Sequence, residues 1–239
     1  MGVKLTFIGH ATWLIEGSKK VLIDPFITSN PQAQEAGITL DSLLDKVDLV
    51  VITHGHFDHI ENAVDFGKKG IPLVGLFEVA QYLASQGAKN TVGANIGGWF
   101  EAEGVKLVFT PAVHSSALIK DNGETIYLGN PAGVVVELDG VRIYHTGDTA
   151  VFGDMALIGE LYKPDVMLLP IGSLFTMGIS EAVKAVELVK PKIAIPMHYN
   201  TWEPIKQDPE EFKKKVEENS CVDTQVIIVR PGETTEISA

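Results

Sequence analysis

The sequence predicts an α/β fold made of two related halves, each a β-sheet covered by helices. Three observations carry this reading. Short apolar runs alternate with helical stretches in both halves. A hairpin closing in an aspartate, Asp24 in the first half and Asp148 in the second, is followed each time by a buried run and a helix. Histidines stand again and again just beyond a strand end, at positions 10, 54, 114 and 198.

Residues 4–8 read as a strand that stops at Gly9 and His10. Residues 12–16 and 21–23 flank the turn 17–20 as a hairpin, and Pro25 ends it behind Asp24, leaving a carboxylate at a strand terminus. Residues 26–40 lack a period and carry Asn30, Pro31 and Gly37 as punctuation, so a loop is expected before a short helix over 41–46. Residues 47–52, mostly β-branched or leucine, form a buried strand that runs into Thr53-His54-Gly55-His56-Phe57-Asp58-His59. Helices over 61–69 and 78–85, stopped by Gly70 and Gly87, surround a strand over 71–74, and this alternation calls for a mixed or parallel sheet.

Residues 99–102 and 105–110 pair around Gly104 and lead to His114. Residues 133–137 and 141–144 pair around Asp139-Gly140 and end in His145-Thr146-Gly147-Asp148-Thr149. The run 164–170 matches 47–53 in pattern, and the helix over 181–189 gathers Ala182, Ala185, Val186 and Val189 on one face. A short buried strand over 192–197 delivers His198. A last helix opens with Asp208 as N-cap, Pro209 in the first turn and Glu211 at the capping-box position, and a strand over 225–230 closes the chain.

Composition narrows the function classes. With 239 residues, 45% of them hydrophobic and no linker-like run, residues 1–239 read as one domain with ample core. Nineteen lysines and arginines against 31 aspartates and glutamates leave a net charge of −12, which argues against nucleic acid or anionic lipid as a partner. No apolar run has the length of a membrane span and no signal peptide opens the chain, so a cytoplasmic protein is expected, one that a homo-oligomer would also suit. Cys221 is the single cysteine, so thiolates are a negligible ligand source.

The chemistry gathers at the strand ends. His54 and His56 are two apart on extended backbone and so share a face, where they can share one metal. Asp58 and His59 come where the chain turns away, placed for a second ion. Imidazoles with a carboxylate suit a borderline divalent cation, zinc first, with manganese, iron, cobalt or nickel also compatible.

The order His-x-His-x-Asp-His, then a lone histidine, Gly147-Asp148-Thr149 and a late histidine resembles the metallo-β-lactamase superfamily of two-metal hydrolases. Ile8-Gly9-His10-Ala11-Thr12 and Pro196-Met197-His198-Tyr199-Asn200-Thr201 resemble its metal-dependent hydrolases of unassigned substrate, akin to the ascorbate-6-phosphate lactonase-like and N-acyl-phosphatidylethanolamine phosphodiesterase branches. That resemblance implies a four-layer αββα sandwich, two mixed sheets face to face with helices outside. It implies His54, His56 and His114 on one metal, Asp58, His59 and His198 on a second, and Asp148 bridging them. A metal-bridging hydroxide would then attack an ester-type bond in a small molecule, with Asp58 orienting it.

Phosphodiesters come slightly ahead of lactones and carboxylic or thiol esters on the resemblance alone, and an inactive metal-binding scaffold is the reading outside enzymes. Asp24 resembles a buried carboxylate that orients a ligating histidine, its other reading being a turn residue before proline. His10 is a candidate for proton transfer. His145 has a second reading as a hydrogen-bonded core residue. Phe175, Met177, Tyr199 and Trp202, on loops beyond the metal motifs, are candidates for an apolar substrate wall and equally for core.

Overall fold

The computed structural model describes residues 2–238. The first half lays down β1 (Gly2–Gly9), β2 (Thr12–Glu16), β3 (Lys20–Ile23), α1 (Pro31–Glu35), α2 (Leu40–Leu44), β4 (Leu49–Val51), α3 (Phe57–Ile60), α4 (Ala63–Lys69), β5 (Leu73–Leu76), α5 (Phe77–Ser85) and β6 (Thr91–Ala94). The second half adds β7 (Phe100–Ala102), β8 (Val105–Pro111), β9 (Ala117–Ile119), β10 (Thr125–Tyr127), β11 (Ala132–Leu138), β12 (Val141–His145), α6 (Met155–Tyr162), β13 (Val166–Pro170), α7 (Ile179–Val189), β14 (Ile193–Met197), α8 (Pro209–Glu217) and β15 (Gln225–Val226). The closing strand is β16 (Thr234–Ser238).

Two seven-stranded sheets result, ordered β16-β1-β2-β3-β4-β5-β6 and β15-β14-β13-β12-β11-β8-β7. In each, one side is antiparallel and the other parallel, the change falling at β3 and at β12. Alternation along the strands sorts the core into three layers. Leu5, Phe7, Trp13, Ile15, Val134, Val136, Ile143 and Leu168 meet between the sheets. Leu14, Leu22, Val50 and Ile52 turn outward to Phe66, Val79 and Leu83 of α4 and α5. Val135, Tyr144, Met167 and Leu169 turn outward to Ala182, Ala185, Val186 and Phe212 of α7 and α8. Each such aliphatic or aromatic side chain contributes about 1.5–3 kcal/mol on burial, so the αββα sandwich is held by apolar contact on both faces of both sheets.

Strand direction then places the site. β1 and β3 both run antiparallel to β2, and β4 is parallel to β3. β8 and β12 both run antiparallel to β11, and β13 and β14 follow β12 in parallel. β1, β3 and β4 in one sheet, and β8, β12, β13 and β14 in the other, therefore end at one edge, where β2 and β11 begin. The two edges are joined there by bonds from His198 N–H to the His10 carbonyl (2.7 Å) and from Ala132 N–H to the Thr53 carbonyl (3.2 Å).

Several elements differ from the sequence reading. The loop over 26–40 contains α1, because Asn30 accepts from the N–H groups of Gln32 and Ala33 with Pro31 in the first turn; the punctuation is a helix cap. The helix expected over 61–69 is α4, which starts at Ala63, and a separate short helix, α3, precedes it and holds Asp58 and His59. Strand β4 covers three residues of 47–52, and the strand over 225–230 shrinks to β15. Asp208 caps α8 through Glu210 N–H, while Glu211 pairs with Lys215 at 2.7 Å and does not complete a capping box. Strands β6, β9, β10 and β16 and helix α6 are absent from the sequence reading.

Candidate metal centre and the family it defines

The motif loop is fixed from both sides. His56 is the N-cap of α3 in an extended conformation, so Asp58 and His59 leave its first turn beside the preceding histidines. Gly55 lies under Leu128, whose Cδ1 would stand 2.4 Å from any Cβ there. Its N–H donates to Ser116 Oγ (3.0 Å), and Ser116 Oγ donates to the Leu128 carbonyl (3.1 Å), which ties the motif to the segment that carries His114. Gly147 places Asp148 with φ of 61°, and a Cβ there would meet the Ala132 carbonyl oxygen at 2.4 Å, so only glycine fits. His10, Asp24 and His198 themselves adopt left-handed φ of 58°, 50° and 54°. That conformation costs non-glycine residues on the order of 1 kcal/mol each and concentrates at functional sites.

Three imidazole nitrogens converge in one cluster: His54 Nε2 lies 3.0 Å from His56 Nδ1, which lies 3.2 Å from His114 Nε2. Asp58, His59, His198 and His10 form a second cluster whose ligand-type atoms lie within 4.8 Å of one another. Asp148 stands between them, Oδ1 at 3.4 Å from His59 Nε2 and Oδ2 at 3.0 Å from His198 Nε2 and 3.7 Å from His114 Nε2.

Hydrogen bonds outside the clusters set the tautomers. Asp24 accepts at Oδ1 from Thr53 N–H (2.8 Å) and at Oδ2 from Thr53 Oγ1 (2.6 Å) and His59 Nδ1 (2.7 Å). His59 therefore carries a proton on Nδ1 and turns its Nε2 inward. With the Thr53 hydroxyl proton committed to Asp24, His54 Nδ1–H donates to Thr53 Oγ1 at 3.0 Å and its Nε2 is bare. His59 Nε2, His198 Nε2 and Asp148 Oδ1 are buried and have no hydrogen-bond partner among the described residues. Three ring nitrogens converging at 3.0–3.2 Å, beside buried polar atoms without partners, fit a divalent cation.

The charges agree. Burial, reinforced by neighbouring imidazoles, holds His54 well below its ordinary pKa and lowers His56 and His114, keeping the first cluster neutral. Burial pushes His59 and His198 the same way, but Asp148, with Asp24 and Asp58, overrides it, raising His59 well above its ordinary value and His198 to about 9. Burial also opposes ionisation of Asp58 and Asp148, and the surrounding histidines outweigh it, so both carboxyls sit well below their ordinary range. The second cluster is an anionic nest that demands positive charge.

A cavity of about 520 Å³ opens over this floor, lined by His56, Asp58, His114, Asp148 and His198 below and by Phe57, Ser115, Leu174, Phe175 and Trp202 at the sides. A hollow of about 540 Å³ between α6 and α7, lined by lysines, glutamates and aliphatic groups, has no comparable donor set.

Four of the candidates sit away from the cavity. His10 is fully buried and does not line the cavity; its Nε2 lies 2.8 Å from Asp58 Oδ2 and its Nδ1 2.8 Å from Thr201 Oγ1, so it touches the floor from behind through Asp58. His145 is a core residue, Nε2 donating to the Ala11 carbonyl (2.8 Å) and Nδ1 accepting from Gly147 N–H (3.1 Å). Tyr199 and Met177 pack into the core under α7, away from the cavity. Thr53, Ser115, Gln32 and Thr201 were missed. Thr53, a hydroxyl at a strand end beside a histidine, carried a signal; Gln32 and Thr201, 169 positions apart at 3.2 Å, carried none.

An αββα sandwich with histidines and aspartates gathered at one strand edge defines a hydrolase of the metallo-β-lactamase fold. Residues 19–199 match the beta-lactamase superfamily domain, and the chain belongs to that family. It is 50% identical over 236 residues to a UPF0173 metal-dependent hydrolase of Methanosarcina mazei, covering 98% of this chain and 99% of the relative. A UPF0173 metal-dependent hydrolase of Archaeoglobus fulgidus is 48% identical over 237 residues, covering 99% and 100%. The structure of Igni18, a metallo hydrolase from Ignicoccus hospitalis, superimposes with a TM-score of 0.87 at 41% identity over 100% of both chains. The chain is a metal-dependent hydrolase. No described helix is long and apolar enough to cross a membrane.

Proposed function

We propose that this chain, one hydrolase domain over 1–239, binds two divalent ions and hydrolyses an ester-type bond in a small molecule. His54, His56 and His114 would hold one ion, Asp58, His59 and His198 the other, and Asp148 both. The observation that carries this reading is the position of Asp148, within 3.7 Å of a histidine of each cluster. Ions so placed, zinc first and manganese, iron, cobalt or nickel compatible with the donors, would supply a Lewis acid and would lower the pKa of a bound water towards about 7.

The remaining work belongs to the protein. Asp24 and Thr53 hold His59 and His54 in the tautomers that present Nε2. His10 donates from Nε2 to Asp58 Oδ2 and fixes that carboxylate, leaving its other oxygen to orient the attacking water. Burial keeps His10 neutral, its pKa lowered to about 4, with the charge of His198 reinforcing the effect. His10 is thus a positioning residue.

Phosphodiesters lead by resemblance alone, whereas one observation favours lactones and carboxylic or thiol esters: no lysine or arginine lines the cavity. The test is turnover of bis(4-nitrophenyl) phosphate, a lactone and a thioester by metal-loaded protein of measured metal content. Hydrolysis that disappears with a chelator and falls at least about 100-fold in Asp148→Asn supports the reading. Turnover that survives chelation contradicts it, and bound metal without turnover across the panel favours a scaffold.

A further inference from the structure

The walls of the cavity hold a second kind of information. Phe57, Leu174, Phe175 and Trp202 come from three separate segments, yet all converge on the mouth. They are 47%, 67%, 56% and 37% exposed, a grouping that soluble surfaces seldom carry without a use.

Their placement is built. On one side Phe26 serves as a buried post, its ring 5.5 Å from Phe57 at an edge-on 70° and 6.0 Å from Trp202, whose ring lies 4.8 Å from His10. On the other side Ser173 and Leu174 take consecutive left-handed φ of 62° and 56°. The turn is pinned by Ser173 N–H to the Met177 carbonyl (2.9 Å) and Met177 N–H to the Thr149 carbonyl (3.1 Å), next to Asp148. A tight, conformationally costly turn thus pushes two apolar side chains towards solvent over the site. The charged lining residues are Asp58, Asp148 and the histidines of the floor, and no lysine or arginine is present to receive a second anionic group.

We propose that Phe57, Leu174, Phe175 and Trp202 form a subsite for an uncharged apolar arm of the substrate, so that the only charged or strongly polar group of the substrate is the one undergoing hydrolysis. The inference rests on the reading of the floor as a metal-dependent hydrolytic centre and adds the class of molecule it takes. The cavity volume, about 520 Å³, lies in the range of small-molecule pockets.

Binding separates this inference from the catalytic one. Acetohydroxamate, butyrohydroxamate and hexanohydroxamate place the same metal-seeking head on arms of growing length, and succinic acid monohydroxamate adds a terminal carboxylate. With metal-loaded protein, calorimetry should find affinity rising by up to about fourfold per added methylene, and the succinic compound at least about tenfold weaker than butyrohydroxamate. Phe175→Ala and Trp202→Ala should flatten the dependence on length, and Trp202→Phe should restore most of it. A flat series, no binding by any member, or a succinic compound as tight as butyrohydroxamate would overturn the proposal. A rising series without turnover of any ester would count against the hydrolytic reading alone, and turnover with a flat series against the apolar subsite alone.

Discussion

Asp24 touches no part of the cavity, yet it decides which nitrogen His59 turns towards the site. Asp24→Asn should therefore lower metal affinity about 10–100-fold, measured by chelator competition, with the fold retained by circular dichroism; unchanged affinity would remove Asp24 from the account. The metal-free protein should also respond to pH. His198 has its pKa raised from 6.5 to about 9, so its contribution to stability is full below 6.5 and lost as pH rises through 9. Thermal melts of chelated protein should fall over that alkaline range, and melts of the metal-loaded protein should not. The motif histidines were legible because the signal is local, a buried run followed at once by closely spaced imidazoles and a carboxylate. Tyr199 was not, because left-handed residues on both sides, His198 and Asn200, turn its ring into the core, and no spacing rule announces such a turn.

Elements were legible where apolar periodicity is strong and obscure where it is broken for a packing reason. Helix α6 contains Gly159, which weakens the helical signal, and the structure requires it: a Cβ there would stand 2.3 Å from the Val189 carbonyl oxygen of α7. In isolation Gly159→Ala gains up to about 1 kcal/mol in helix propensity, while forcing α6 away from backbone costs roughly 1–3 kcal/mol. The variant should therefore melt lower than the wild type, and a higher melting temperature would mean that the helices are not in this contact. Strand β16 shows the other obstacle. Its sequence, Thr234-Thr235-Glu236-Ile237-Ser238, buries only Ile237, and its partner β1 lies at the far end of the chain. Ile237→Ala should cost about 2–5 kcal/mol, measured by urea denaturation, and would leave the turnover of folded protein intact; a neutral result would argue that β16 does not close the sheet.

The molecule as a whole works because two sheets of matching design end at a common edge. Each changes from antiparallel to parallel pairing once, and the strand ends so aligned bring His10, the motif loop, His114, Asp148 and His198 together from positions nearly the length of the chain apart. That convergence was readable as a repeated pattern of strand then histidine or aspartate, whereas the seating of Trp202 beside His10, and of both beside Phe26, depends on loop paths that only the fold specifies. Ions bound at this edge would bind the native state alone, so chelation should lower the melting temperature in proportion to the affinity lost. The most direct measurement is anomalous diffraction from crystals of metal-loaded protein. Two peaks per chain are expected, one among His54, His56 and His114 and one among Asp58, His59 and His198, with Asp148 reaching both. A single peak, or peaks away from these side chains, would contradict the two-ion reading.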